Sequence, residues 1–227
     1  MSTVPDRLRA WERFAPLTGV VAVVLWVIAV IVIEAADSPD EDAGGQEIAT
    51  YFEEKTGTIL AGSFLLMLGA AAFLWFLGSL RARIHAAEGG VGRLASIVFA
   101  SGIVLSAMTL GLAAPQAAGA LTADETEPGI EPGAAQVFEG LGDGFFVAAE
   151  ATVVVFFLAA AVAGLRTRVL PVWLAWASIV LAVAALLPWI GWAVYIWGLP
   201  LWVLIASIWM FLRPSAPAHA EARPVVT

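Results

Sequence analysis

Apolar residues in this chain fall into six stretches of about 20, separated by short segments that hold nearly all the charged side chains. A hydrocarbon core of ~30 Å takes about 20 residues of helix at 1.5 Å per residue. Backbone groups in lipid must be bonded within their own segment, so each stretch predicts a helix rather than a strand. The spans read as 15–34, 61–80, 94–114, 144–165, 170–188 and 193–212. The predicted class is therefore all-α, a polytopic membrane helix bundle with six transmembrane helices occupying residues 15–213. A basic segment, 1–14, precedes the bundle, and an Ala- and Pro-rich tail, 214–227, reads as disordered.

The first stretch follows Arg7, Arg9 and Arg13 and so resembles a secretory signal. Its apolar core is longer than the roughly 7 to 15 residues of a signal, and Glu34 stands where a small residue would be cleaved. It is read as a retained span. Orientation follows from the basic residues near span ends. Arg7, Arg9, Arg13, Arg81, Arg83, Arg93, Arg166, Arg168, Arg213 and Arg223 fall on one side, and only Lys55 on the other. The arginine side is predicted to be cytoplasmic, with both the N and C termini there, in a multi-pass protein of a bacterial inner membrane.

The two long outer segments, 35–60 and 115–139, are acidic and read as loops, the second beginning at Pro115. In the first, Ile48, Tyr51 and Phe52 recur at i, i+3 and i+4. That spacing suits either a short helix lying on the membrane surface or an outward extension of the second span. Residues Trp189 to Trp192 read as a tight outer connection with both indoles at headgroup level. Gly198 and Pro200 mark a kink in the sixth span.

Composition narrows the chemistry. At 61% hydrophobic and 13% charged, the chain lies outside the globular range. The net charge of −8 comes from the two outer segments rather than a uniformly acidic surface, and gives nucleic-acid binding no support. There is no cysteine, hence no thiol redox chemistry and no thiolate metal site. The two histidines, His85 and His219, fall outside the spans, so no transmembrane His pair is present to hold haem, and Lys55 in an outer loop leaves no buried lysine for retinal. No cofactor is predicted. No HExxH, P-loop or GxSxG motif occurs, which argues against an enzyme.

The candidate chemistry lies around the fourth span. Glu139, Asp143 and Glu150 are spaced i, i+4 and i+11, within a ~40° sector of one helix face at 100° per residue. Glu150 falls inside the hydrocarbon, where an ionisable residue usually faces a bundle interior or a wet cavity. Beside this stripe, Gly140, Gly144, Ala148 and Ala151 form a small-residue ridge suited to close helix packing. The third span has its own small and polar face in Ala95, Gly102, Ser106, Thr109, Ala113 and Gln116. If the two faces meet, Thr109 and Gln116 lie at the depth of Glu150 and Asp143. With Glu34 at the end of the first span they form an acidic vestibule open to the outside. Acids at a helix start are also favourable with no further role, and Glu150 as a neutral acid bonded to Thr109 would be structural glue.

Residues 51–84, YFEEKTGTILAGSFLLMLGAAAFLWFLGSLRARI, and 169–213, VLPVWLAWASIVLAVAALLPWIGWAVYIWGLPLWVLIASIWMFLR, resemble a broad group of bacterial multi-span membrane proteins of uncharacterised function. The resemblance implies a helical bundle in the cell membrane and carries no activity or site residue. Two functions remain open from sequence. One is a small cation- or proton-coupled transporter or channel, for a cation or a small solute, that uses the outward acidic vestibule. The other is a non-catalytic scaffold, sensor or accessory subunit that binds a protein partner or a second copy of itself. Lipid is a partner in either case.

Overall fold

The computed structural model describes residues 13–40, 42–127 and 129–213. Arg7, Arg9, Glu41, His219, Arg223 and the tail expected to be disordered lie outside the described residues. Every regular element among the described residues is helical.

A 3-10 turn, Ala15–Leu17, leads into α1, Thr18–Glu34, and the Thr18 hydroxyl donates back to the Ala15 carbonyl at 2.7 Å. Then follow α2 (Gly45–Glu88), α3 (Arg93–Glu125), α4 (Pro132–Thr167), α5 (Val172–Ala185) and α6 (Pro188–Leu212). Proline opens α4 and α6, where its fixed φ suits a first turn and its missing N–H removes no helical bond.

Three helices are longer than a membrane requires. With 44, 33 and 36 residues, α2, α3 and α4 run to about 66, 50 and 54 Å at 1.5 Å per residue. Most of the two segments expected as loops, 35–60 and 115–139, is therefore helix. Pro115, expected to close a span, sits inside α3, which continues for ten residues to Glu125. The lost hydrogen bond is outweighed by packing, from which most helical stability comes. Beyond Pro115, Ala120 and Ala123 pack with Ile48, Phe52, Ile59 and Ala135 in a small separate core. Burial of Ile48 and Phe52 there decides the other alternative: their segment extends α2 outward.

The fifth and sixth predicted spans also shift. Leu187, driven to an extended conformation (φ −93°, ψ 113°) by the proline that follows it, ends the helical run early. As a result α5 stops at Ala185, 14 residues long, and Trp189 and Trp192 lie on the exposed first turns of α6. Among the described residues five helices are long and apolar enough to cross a membrane, and α5 is a shorter apolar helix.

Each helix packs on its neighbours in sequence, α6 closes against α1, and α2 touches α4 across the middle. The face of α4 that turns inward is not the predicted ridge. Gly140, Gly144 and Ala151 are exposed, and side chains added at the two glycines would meet open space. The buried seam is instead Ala135, Gly142, Ala149, Phe156 and Ala163, a strict seven-residue repeat of the kind that keeps one seam against a supercoiled neighbour. On α3 the small face expected from sequence is buried from Ala95 through Ala113.

The middle of the bundle is filled by aromatic rings. Phe73 and Phe76 of α2, Phe156 and Phe157 of α4, and Trp202 of α6 are all at most 1% exposed. Trp202 stands edge-on to Phe156 at 5.3 Å and to Phe157 at 6.0 Å, and Phe73 carries the cluster on to Trp26 of α1 at 5.4 Å. The Trp202 indole N–H donates to Ser178 Oγ at 2.8 Å, so the one polar atom on that ring is satisfied.

The arginine-bearing end is tied together by its charges. Arg83 donates to the Arg213 carbonyl at 2.8 Å, while Arg13 lies over Phe211 and Arg81 over Phe99. Glu88, at the end of α2, accepts from the backbone N–H groups of Leu94 at 2.9 Å and Ala95 at 3.2 Å. It thereby caps α3 across a turn in which Gly90 and Gly92 have positive φ. These hydrogen bonds hold the Glu88 carboxyl below its ordinary range.

Candidate binding cavity

At the other end the helices part around a cavity of about 280 Å³, lined by residues of α1, α2, α3, α4 and α6 and by Ser38 just beyond α1. Its deep wall is apolar and aromatic: Trp26 and Val30 of α1, Leu66 of α2, Phe146 of α4, and Tyr195 and Leu199 of α6. Glu34, Tyr51, Gln116, Glu139 and Asp143 line the end toward the outer extensions. No Lys, Arg or His lines it among the described residues.

Tyr195 reaches the cavity through a backbone irregularity. Residues Val194–Gly198 form a π-turn that ends two residues before Pro200, whose missing N–H prevents regular α-helical bonding there. The extra residue turns Tyr195 inward, where it is 8% exposed and stacks edge-on to Phe146 at 5.5 Å. Thr109 gives its only hydroxyl hydrogen to the Leu105 carbonyl at 3.0 Å. The 2.8 Å contact between Thr109 Oγ1 and Tyr195 Oη is therefore a bond donated by the tyrosine. This bond ties α3 to α6 at the cavity floor, above the aromatic cluster.

The upper wall is polar and ordered. Gln116 Nε2 donates to Glu139 Oε2 at 2.8 Å, which fixes the carboxylate across the α3–α4 contact. Glu139 lies outward of the predicted fourth span, 144–165. Its pKa is raised, first by burial and further by neighbouring Asp143, with the Gln116 hydrogen bond opposing the rise. Tyr51, on the outward extension of α2, meets Ser38 at 3.3 Å, and its pKa is raised by burial and by the charge of Glu139. Glu34 and Asp143 are exposed at the rim.

Five of the six candidate residues therefore line one cavity: Glu34, Thr109, Gln116, Glu139 and Asp143. Glu150 does not. It lies against the start of α6, its carboxyl carbon 3.5 Å from where a Cβ on Gly191 would stand, and it makes no bond to Thr109. The rotation of α4 that buries the heptad seam carries Glu150 toward α6 and away from α3. Trp26, Phe146 and both tyrosines of the chain complete the cavity. Their rarity was a signal for the tyrosines, since two phenols in a chain this apolar both sit where a hydroxyl meets a polar partner. Among the described residues no group of three His, Asp or Glu side chains is placed to hold a metal ion.

No protein-family model, curated protein or solved structure matches the chain. Its class rests on its own architecture: the long apolar helices are consistent with an integral, multi-pass membrane protein.

Proposed function

We propose that the protein is a six-span protein of a bacterial inner membrane, both termini cytoplasmic, whose outward-facing cavity takes up a small cation-bearing solute as the binding site of a transporter. The observation that carries this reading is the cavity itself, with acids at one end, aromatic and aliphatic walls at the other, and no basic residue lining it among the described residues. Low-dielectric walls focus the field of Glu34, Glu139 and Asp143 and raise the local concentration of cations. In this reading α5 completes the sixth crossing as a short helix, with the bilayer thinned locally around it. The aromatic cluster below Tyr195 closes the inner half, so the conformation corresponds to an outward-open carrier rather than an open channel.

That same closure favours a second reading, a sensor or accessory subunit that binds the solute and conducts nothing. The test is uptake by proteoliposomes of a labelled organic cation, driven by a proton or a voltage gradient. Uptake lost in Glu139→Gln supports a carrier. Binding with no uptake under any gradient supports the sensor.

A further inference from the structure

We infer that the ligand of this cavity is an organic ammonium with an apolar body, its charged head among Glu34, Glu139 and Asp143 and its hydrocarbon between Trp26, Phe146 and Tyr195. The inference rests on the cation-binding reading above and adds the ligand's chemical class.

Three features select that class. The cavity is polar at one end and apolar at the other, so a fully hydrated inorganic ion would leave the deep walls of Val30, Leu66 and Leu199 against water. The acids are not gathered as a metal requires, because no three carboxylates among the described residues share a coordination point. They suit a diffuse positive head that makes several looser contacts. Aromatic faces are also present at both levels, Tyr51 near the acids and Trp26, Phe146 and Tyr195 deeper. A weakly hydrated ammonium bearing carbon substituents is attracted to such faces as well as to carboxylates. An anionic ligand would meet three carboxylates and no basic residue, and a neutral apolar one would leave the acid end unused.

The geometry also says how the head is held. Glu139 is held by Gln116 at 2.8 Å before any ligand arrives, so its carboxylate does not have to be ordered on binding, while Tyr51 has a longer, exposed 3.3 Å contact with Ser38. The Tyr195 hydroxyl donates to Thr109 and the Thr109 hydroxyl to Leu105, so neither hydroxyl hydrogen on the floor is left for the ligand.

The experiment is equilibrium dialysis with the full-length protein in lipid nanodiscs. The probes are benzyltrimethylammonium, its uncharged carbon isostere neopentylbenzene, tetramethylammonium, and sodium ion. Saturable binding of benzyltrimethylammonium is expected, at least about tenfold tighter than tetramethylammonium, which lacks the apolar body. Glu139→Gln, which keeps shape and can keep a bond to Gln116, is expected to weaken it about tenfold. Tyr51→Leu is expected to weaken it about two- to fivefold. Glu150→Gln, outside the cavity, leaves it unchanged, and Glu34→Gln provides a second charge removal should Glu139→Gln fail to fold.

Equal binding of neopentylbenzene overturns the cationic class while leaving an apolar solute site. Sodium competing at equal affinity overturns the organic class while leaving the cation-binding reading intact. Absence of saturable binding for every probe overturns both.

Discussion

Replacing Tyr195 by Phe removes one hydroxyl from the floor of the cavity and changes nothing else in shape. The hydroxyl donates to Thr109, whose own hydrogen goes to Leu105, so Tyr195→Phe strands no donor. The expected cost is that of one interhelical hydrogen bond in a membrane bundle, ~0.6 kcal/mol on average and up to ~1.7. Thr109→Val is different. It leaves the Tyr195 O–H, on a residue 8% exposed, without its partner, at a cost of ~1–3 kcal/mol. In the double variant both hydroxyls are gone and no orphan remains, so its cost falls short of the sum of the single costs by ~0.6–1.7 kcal/mol. Reversible unfolding in mixed detergent micelles, followed by circular dichroism, measures all four proteins. Costs that add to within ~0.3 kcal/mol would show that the two hydroxyls do not meet, and with that the α3–α6 contact beneath the cavity would be refuted.

The turn between α2 and α3 separates two effects at neighbouring glycines. Both have positive φ, +82° at Gly90 and +68° at Gly92, but only a Cβ at Gly92 runs into His85. Gly90→Ala is expected to cost about 1–2 kcal/mol, and Gly92→Ala more, read as the larger fall in thermal midpoint. Glu88 has a pKa below the ordinary carboxylate range, so its capping contribution is present above that range and lost as pH falls through the folded value. Glu88→Gln should therefore flatten the acid limb of a stability profile, and an unchanged limb counts against the cap. Glu139 has the opposite sign. Its folded pKa is raised, so its contribution is greatest below the ordinary carboxylate value and declines as pH rises toward the folded one. Gln116→Leu removes the hydrogen bond that opposes the rise and should move the Glu139 titration, followed by infrared carboxyl absorption, to still higher pH.

Hydropathy made the apolar cores of the helices legible, because lipid permits few alternatives for a 20-residue apolar run. It failed where helices run on past their apolar cores. Beyond the apolar runs an amphipathic pattern competes with acids, glycines and prolines, and the second small core of Ile48, Phe52 and Ala120 depends on contacts between segments about 70 residues apart. Pro115 was a sound local stop signal overridden by that packing, whereas the Leu187–Pro188 step was a stop signal that held. The cavity was legible in part for a related reason. Glu34, Thr109, Gln116, Glu139 and Asp143 are polar residues at the ends of apolar helices, and antiparallel packing brings such ends together. Glu150 depends on the rotation of α4, and choosing the four-residue ridge of Gly140 and Gly144 over the seven-residue seam of Ala135, Gly142 and Ala149 turned that helix the wrong way. Tyr195 depends on a π-turn, which inserts a residue and shifts every face beyond it. No fixed period anticipates that.

The absence of native cysteine makes one measurement direct. Single variants Ser38→Cys at the rim, Ser63→Cys in the cavity wall and Ser207→Cys beside Gly19 and the inner aromatic rings place a thiol at three depths. Intact cells are treated with membrane-impermeant thiosulfonates of opposite charge. For an outward-open acidic cavity closed beneath by aromatic rings, Ser38→Cys and Ser63→Cys react from outside, faster with the cationic reagent than the anionic one, and Ser207→Cys stays unreactive. Labelling of Ser63→Cys only after the cytoplasm is exposed, or at equal rates by both charges, would contradict the outward acidic cavity.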